Sequence, residues 1–351
     1  MIRFHQGAQR VELPSGGLWA ASRGENVYRD TVASELWDIV RDIEAGVAWR
    51  EAVAHRYAQS NPWLHEIVTS PARDLFFRLH PPPSGARVLD VGAGWGQIAL
   101  ALARECEVTA LEPTPERIAF IRAAANQDAT AERMHFVQAS LFDVEFDTTF
   151  DRACCVGVLE WVPKFRPGDP REVQIDFLTR LRSLLAPGGQ LVIGIENRLG
   201  LKYLLGAPDD HLGIPGVAVY DAGLAAKKWT AVSSQELRSF TFTRAELVAL
   251  LSAAGLKATG FFAALPDYKL PQRIIPLGGE VDDFFRAGHY VAEHDGTDGR
   301  PLPFQAELQS HYQSLANLGI ASNFAPSFYV VASAGEDRVE SILDGPEKHP
   351  L

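Results

Sequence analysis

The chain has 351 residues, with 33 Lys and Arg against 44 Asp and Glu, and a formal net charge of −11. Hydrophobic residues make up 46% and charged residues 22%. That balance excludes a disordered or collagenous chain and fits one large α/β domain with additions. An acidic surface repels a phosphate backbone, so nucleic acid is not an expected partner. The cysteines Cys106, Cys154 and Cys155 show no C-x-x-C spacing. Neither a disulfide framework nor a metal site is therefore expected, and a cytoplasmic setting suits the composition. The opening residues lack an apolar leader core, and no stretch approaches the roughly 18–20 apolar residues that span a bilayer.

In chain order, Leu36, Ile39, Val40 and Ile43 fall at i, i+3, i+4, i+7 and predict an amphipathic helix over 31–47. Asn61-Pro62 and Ser70-Pro71 each read as a helix start, a capping residue followed by Pro. Leu75, Phe76 and Leu79 would form the buried side of the second. PPPSG at 81–85 ends that run. Residues 1–84 are thus expected to be a mostly helical addition, with Trp63, His65, Phe76 and Phe77 as either a lid or core.

From Arg87 the pattern alternates. RVLDVG, VTALEP, HFVQAS, RACCVGVLEWV and QLVIGIEN read as five strands, separated by helices over IALALARE, from Thr114-Pro115, and over VQIDFLTRLRSLL. Such alternation predicts a doubly wound parallel sheet. Thr243 and Glu246 make a capping box with Gly255 as the C-terminal stop. KATGFFAAL and SFYVVASA at 327–334 then give a sixth and a seventh strand. Residues 85–335 form the expected domain, with 198–240 and 264–326 as insertions and 336–351 as a flexible tail.

The densest local signal is Asp90-Val91-Gly92-Ala93-Gly94-Trp95-Gly96-Gln97 between a strand and a helix. Glycines there permit a tight turn and close approach of a ligand to backbone. Glu112 lies 20 residues after Gly92, at the end of the second strand, where a carboxylate can accept both ribose hydroxyls. Gln97 replaces the third glycine of a dinucleotide fingerprint. Asp90 is a poor neighbour for pyrophosphate but suits a cationic ligand.

This D-x-G-x-G-x-G loop, the distal acid, FDRACCVGVLEWV and LLAPGGQLVIGIEN together resemble the class I S-adenosylmethionine-dependent methyltransferases. The resemblance implies a Rossmann-like seven-stranded sheet whose last strand is antiparallel. It implies S-adenosylmethionine as cofactor and S-adenosylhomocysteine as product. Gly92, Ala93, Gly94, Gly96 and Gln97 would hold the methionine part, Asp90 the ammonium, Glu112 the ribose, and Pro113 the adenine. Where the family usually has an acid after the third strand, this chain has Ser140 and Leu141, so one of these must serve. Cys155 and Val156 would approach the cofactor from the fourth strand, and Trp161 stands where many members carry His. IENRLGLKYLLGAPDDHLG and ALPDYKLP resemble bacterial methyltransferases of surface polysaccharides and secondary metabolites.

An alcohol acceptor needs proton removal. His211, in Pro208-Asp209-Asp210-His211, is the expected base, with Asp209 or Asp210 orienting it and Glu196 as a further catalytic carboxylate. Glu160, Arg198, Tyr268 and Lys269 are expected substrate-binding residues. Arg198, Lys202, Lys227, Lys228 and Arg273 could make a positive lining. The leading expectation is O-methylation of a small molecule or glycan. A protein methyltransferase and a non-catalytic S-adenosylmethionine sensor stay open. The chain lacks the N/D-P-P-Y/F motif of nucleic-acid enzymes after the fourth strand.

Overall fold

The structure is a computed structural model, and it describes residues 1–21 and 28–335. The chain begins with strands β1 (Ile2–Gln6), β2 (Gln9–Leu13) and β3 (Leu18–Ala20). Helices α1 (Ala33–Glu44), α2 (Trp49–Tyr57), α3 (Pro62–Thr69) and α4 (Leu75–Leu79) follow. The alternating part comprises β4 (Arg87–Val91), α5 (Gln97–Leu102), β5 (Glu107–Leu111), α6 (Pro115–Gln127), β6 (Met134–Gln138), β7 (Glu145–Phe146), β8 (Phe150–Val156), α7 (Pro170–Ser183) and β9 (Leu185–Glu196). Then come α8 (Leu201–Leu204), α9 (Ala222–Ser233), α10 (Arg244–Ala253), β10 (Leu256–Leu265), β11 (Arg273–Pro276), α11 (Gly279–Arg286), α12 (Gln305–Asn317) and β12 (Ser327–Ala334).

The main sheet runs β11-β10-β12-β9-β8-β4-β5-β6-β3. β4, β5, β6, β8 and β9 pair in parallel, whereas β12 is antiparallel to both β9 and β10. The expected seven strands with an antiparallel last one are therefore present, and edge strands β11 and β3 widen the sheet to nine.

Alternate residues along each central strand face opposite layers. Cys154 joins the side packed by α1 through α6, with Val88, Val108 and Ile118. Its neighbour Cys155 joins the other side, with Leu178, Leu247, Val281 and Tyr312 from α7, α10, α11 and α12. Both faces are buried, which is why the strands read as continuous apolar runs rather than alternating ones.

The N-terminal region is helical from Ala33 onward but not at its start. Its first 20 residues form strands, with β1 and β2 paired as a hairpin around Gly7. Ile2 and Phe4 face Val11 and Leu13 inward in a period of two. Helix α1 buries Leu36, Ile39, Val40 and Ile43 as expected. Asn61 caps α3 by accepting from Leu64 N. After Ser70, however, the chain takes a 3-10 turn over Pro71–Asp74 before α4. That tighter winding turns the buried side. Phe76 and Phe77 are buried while Leu79 is 54% exposed. The expected insertions also hold regular structure, namely α8 and α9 in one and β11, α11 and α12 in the other. The tail over 336–351 lies outside the described residues.

Candidate active site

The C-terminal ends of β4, β5, β6 and β8 open into a cleft of about 1200 Å³. Gly92, Gly94 and Gly96 follow β4 with φ of 66°, 58° and 76°. A side chain at Gly92 would strike Val158, and one at Gly96 would strike Ile121 of α6. Both positions therefore need glycine for close packing as well as for conformation. Backbone N–H groups of Gly92 and Ala93 donate to Leu111 O and tie the loop to β5. Glu112 completes the brace. Its Oε2 accepts from Gly94 N and its Oε1 from Thr114 N, each at 2.9 Å.

Asp90 is buried beneath this loop, and its Oδ2 has no hydrogen-bond partner. Burial pushes its carboxyl up to about 7. Arg73, reaching in from the turn before α4, lines the same cleft with Nε and Nη1 unpartnered, its guanidinium over the Tyr268 ring at 5.5 Å. The sequence reading passed over Arg73. In sequence it is one of two arginines, with Arg78, between Ser70 and PPPSG, and nothing local sets it apart.

Pro113, Ser140, Leu141 and Val156 line the cleft, as do Gln97 and Ala93. After β6, Asp143 caps the loop by accepting from Ser140 N at 3.2 Å. Cys155 does not reach the cleft. The sheet's alternation turns its side chain into the core opposite Cys154, leaving Val156 to face the opening.

The rest of the cleft is built by the insertions. Asp210, His211, Tyr268 and Lys269 line it, and Glu160 and Glu196 lie fully buried behind them. His211 Nε2 stands 3.6 Å from Glu160 Oε1 and 3.4 Å from Glu196 Oε2. Lys269 Nζ donates to Glu196 Oε1 at 2.5 Å and to Asp210 Oδ2 at 3.1 Å. Lys202 Nζ donates to both Asp210 oxygens, at 2.9 and 3.1 Å. Burial opposes charge on all of these groups, and mutual attraction outweighs it at all but Glu160. Lys269 and His211 hold the Glu196 carboxyl at about 2, and Lys202 and Lys269 hold Asp210 well down. Burial and the nearby Glu196 raise Glu160. Glu196, Asp209 and Glu160 raise His211.

Asp210 is thus engaged by the two lysines and makes no ion pair or side-chain hydrogen bond with His211. Asp209 is the neighbour of the imidazole, 3.7 Å from Nδ1, and its Oδ1 also caps the loop by accepting from His211 N and Leu212 N. Arg198 lies outside the main cleft. It donates to both oxygens of Glu246, at 2.7 and 2.9 Å, beside a second cavity of about 280 Å³ that shares His211 as a wall. Lys227 and Arg273 are exposed, so the five cations expected as a positive lining do not converge. Trp63 lines the cleft and donates from Nε1 to Gly296 O at 3.2 Å, joining the N-terminal region to the second insertion. Phe76 is core, stacked on Tyr329 at 4.4 Å.

Residues 88–189 match the family described as a methyltransferase domain. That span holds the glycine loop, Glu112 and the strand from which Val156 faces the cleft. Over this span the chain carries a methyltransferase domain. The chain is 32% identical over 143 residues to a ubiquinone biosynthesis O-methyltransferase of Xylella fastidiosa, covering 40% of this chain and 54% of that one. It is 33% identical over 124 residues to the mitochondrial ubiquinone biosynthesis O-methyltransferase of Schizosaccharomyces pombe, covering 35% and 42%. The chain spans about half the length of these curated relatives. Among solved structures, the CcbJ methyltransferase of Streptomyces caelestis aligns with a TM-score of 0.45 at 15% identity, over 75% of this chain and 89% of that one. Among the described residues, no helix is long and apolar enough to cross a membrane.

Proposed function

We propose that this chain transfers a methyl group from S-adenosylmethionine to a hydroxyl of a small molecule. The observation that carries this reading is that one cleft holds two unlike halves. One half has unpaired charges of opposite sign, Asp90 and Arg73, around a glycine loop. The other has the buried cluster of His211, Glu160, Glu196 and Lys269.

The first half fits the cofactor. Its amino-acid end carries an ammonium and a carboxylate, which Asp90 and Arg73 complement. The loop from Gly92 to Gly96, with Gln97, borders that end. Glu112 keeps free lone pairs on both oxygens for the ribose hydroxyls. Pro113, Ser140 and Leu141 border the adenine, and Val156 flanks the cofactor. The bound cofactor supplies a methyl group already activated by its sulfonium.

The second half serves the acceptor. Tyr268 and Lys269 bind and orient it, and the proton of its hydroxyl passes into the His211 cluster. Asp210 is a positioning residue that holds Lys269 and Lys202 in place. The N-terminal region of 1–84 and the insertions at 198–240 and 264–326 enclose the acceptor, with Trp63 bridging two of them. Support for oxygen as the acceptor atom comes from relatives named as O-methyltransferases. A glycan hydroxyl offers the same chemistry.

The test is transfer of labelled methyl from S-adenosylmethionine into an extract fractionated into small molecules, glycans and lipids, protein, and nucleic acid. Label in the first or second fraction, lost in Glu112→Ala, is the expected result. Label in protein or nucleic acid overturns the acceptor class. Cofactor binding without label in any fraction favours a sensor.

A further inference from the structure

The cluster behind the acceptor wall is not explained by its own hydrogen bonding. Glu160 follows β8, Glu196 ends β9, and His211 comes from the first insertion. The separations of His211 Nε2 from the two glutamates, 3.6 and 3.4 Å, exceed the roughly 2.7–3.2 Å of an N–H···O bond. Glu196 Oε2, which faces that nitrogen, has no hydrogen-bond partner, nor does Glu160 Oε2, although both residues are fully buried. Unpaired buried carboxylate oxygens are costly.

A small cation accounts for this spacing. Donors about 2.0–2.2 Å from a common tetrahedral ion stand about 3.3–3.6 Å from one another. One donor atom from each of the three residues lies within 4.8 Å of the other two. One imidazole nitrogen with two carboxylate oxygens is a ligand set of divalent metals. Outer contacts steady the ligands, as such sites require. Lys269 holds the other oxygen of Glu196, and the Tyr268 hydroxyl lies 3.4 Å from Glu160 Oε1.

Charge points the same way. Among the described residues, Glu160, Glu196, Asp209 and Asp210 pair with only Lys202 and Lys269 as permanent cations. With a neutral imidazole, two negative charges stay uncompensated in a buried region. A divalent ion cancels both at once, whereas without it protons on both His211 and Glu160 are needed.

We propose that Glu160, Glu196 and His211 bind one divalent metal ion of the zinc or manganese type, reached through the cleft that His211 lines. Binding uses the Nε2 lone pair and releases any proton held there to solvent. The site shares its three residues with the proton-accepting cluster of the methyl-transfer reading, and an ion on Nε2 leaves proton acceptance to the other groups there; its binding test needs neither cofactor nor acceptor.

The full chain, stripped with a chelator and dialysed, is titrated separately with Zn²⁺ and Mn²⁺ by calorimetry, with elemental analysis of the loaded protein. One ion per chain is expected, with affinity reduced tenfold or more in His211→Ala and in Glu160→Gln, each checked for folding by circular dichroism. Should the variants misfold, Mn²⁺ must still broaden the His211 imidazole resonances of the unaltered chain. Absence of stoichiometric uptake of either ion, binding unchanged in both folded variants, or unbroadened His211 signals overturns the site. A stripped chain that takes up no metal yet binds S-adenosylhomocysteine loses this site and keeps the methyltransferase reading. A chain that binds the ion and methylates nothing keeps the site and loses that reading.

Discussion

Glu112 and Gly94 are 18 residues apart in sequence, and the carboxylate of one accepts the backbone N–H of the other at 2.9 Å. The acid assigned to the ribose is therefore also the brace that shapes the glycine loop. Glu112→Ala is expected to weaken S-adenosylhomocysteine binding by about 1–3 kcal/mol and to lower the melting temperature of the cofactor-free chain. Calorimetry and a thermal melt read the two effects separately. A variant that binds normally removes the ribose assignment.

Asp90 gives a pH signature. Its carboxyl is raised to about 7 from an ordinary 3.8. Such a group favours the folded state fully below the ordinary value, and that contribution is lost as pH rises through about 7. Arg73, Glu112, Cys154 and Cys155 are the other ionisable groups that interact with it. Asp90→Asn is therefore expected to stabilise the cofactor-free chain more at pH 8 than at pH 5, by about 1–3 kcal/mol for a buried unpaired charge. The same substitution weakens S-adenosylhomocysteine binding at pH 8. Equal melting shifts at both pH values would refute the assignment.

Arg73 is assigned to the carboxylate of the cofactor. Arg73→Met is expected to weaken S-adenosylhomocysteine by about 1.5–3 kcal/mol, the range of a hydrogen bond to a charged group. Methylthioadenosine lacks that carboxylate, and its binding should be unchanged. Equal losses for both ligands would mean that Arg73 acts through the fold.

For His211→Ala the expectation is a fall in methyl transfer of about 10²-fold or more, with S-adenosylhomocysteine affinity kept. Labelled-methyl transfer beside calorimetry separates the two. Loss of cofactor affinity alone would place His211 in the wrong half of the cleft.

The cofactor half was legible because its determinants are local. Asp90, the glycine loop and Glu112 lie in two consecutive strand–turn units, and the alternation of apolar runs marked those units. Cys155 was misplaced because a strand buried on both faces gives no sign in its composition of which face each residue takes. The β1–β2 hairpin was missed although Ile2, Phe4, Val11 and Leu13 alternate around Gly7. The acceptor half depends on separations of 27 to 108 residues, as between Asp267 and His294 or Glu160 and Tyr268. The sequence could nominate His211, Glu196 and Lys269 one by one. Their meeting, and the engagement of Asp210 by two lysines, follows from how the insertions fold over the strand ends.

The Lys202–Asp210–Lys269–Glu196 chain also limits how such a protein can be recombined. It ties the first insertion to the second and both to the end of β9, with the Lys202, Asp210 and Glu196 side chains buried and that of Lys269 mostly so. Exchanging one insertion for that of a relative would leave an ammonium or a carboxylate buried without its counter-charge, a change worth roughly 3–5 kcal/mol. New acceptor specificities must therefore be grafted as a pair of segments, and single-segment chimeras should fail at folding before they fail at recognition.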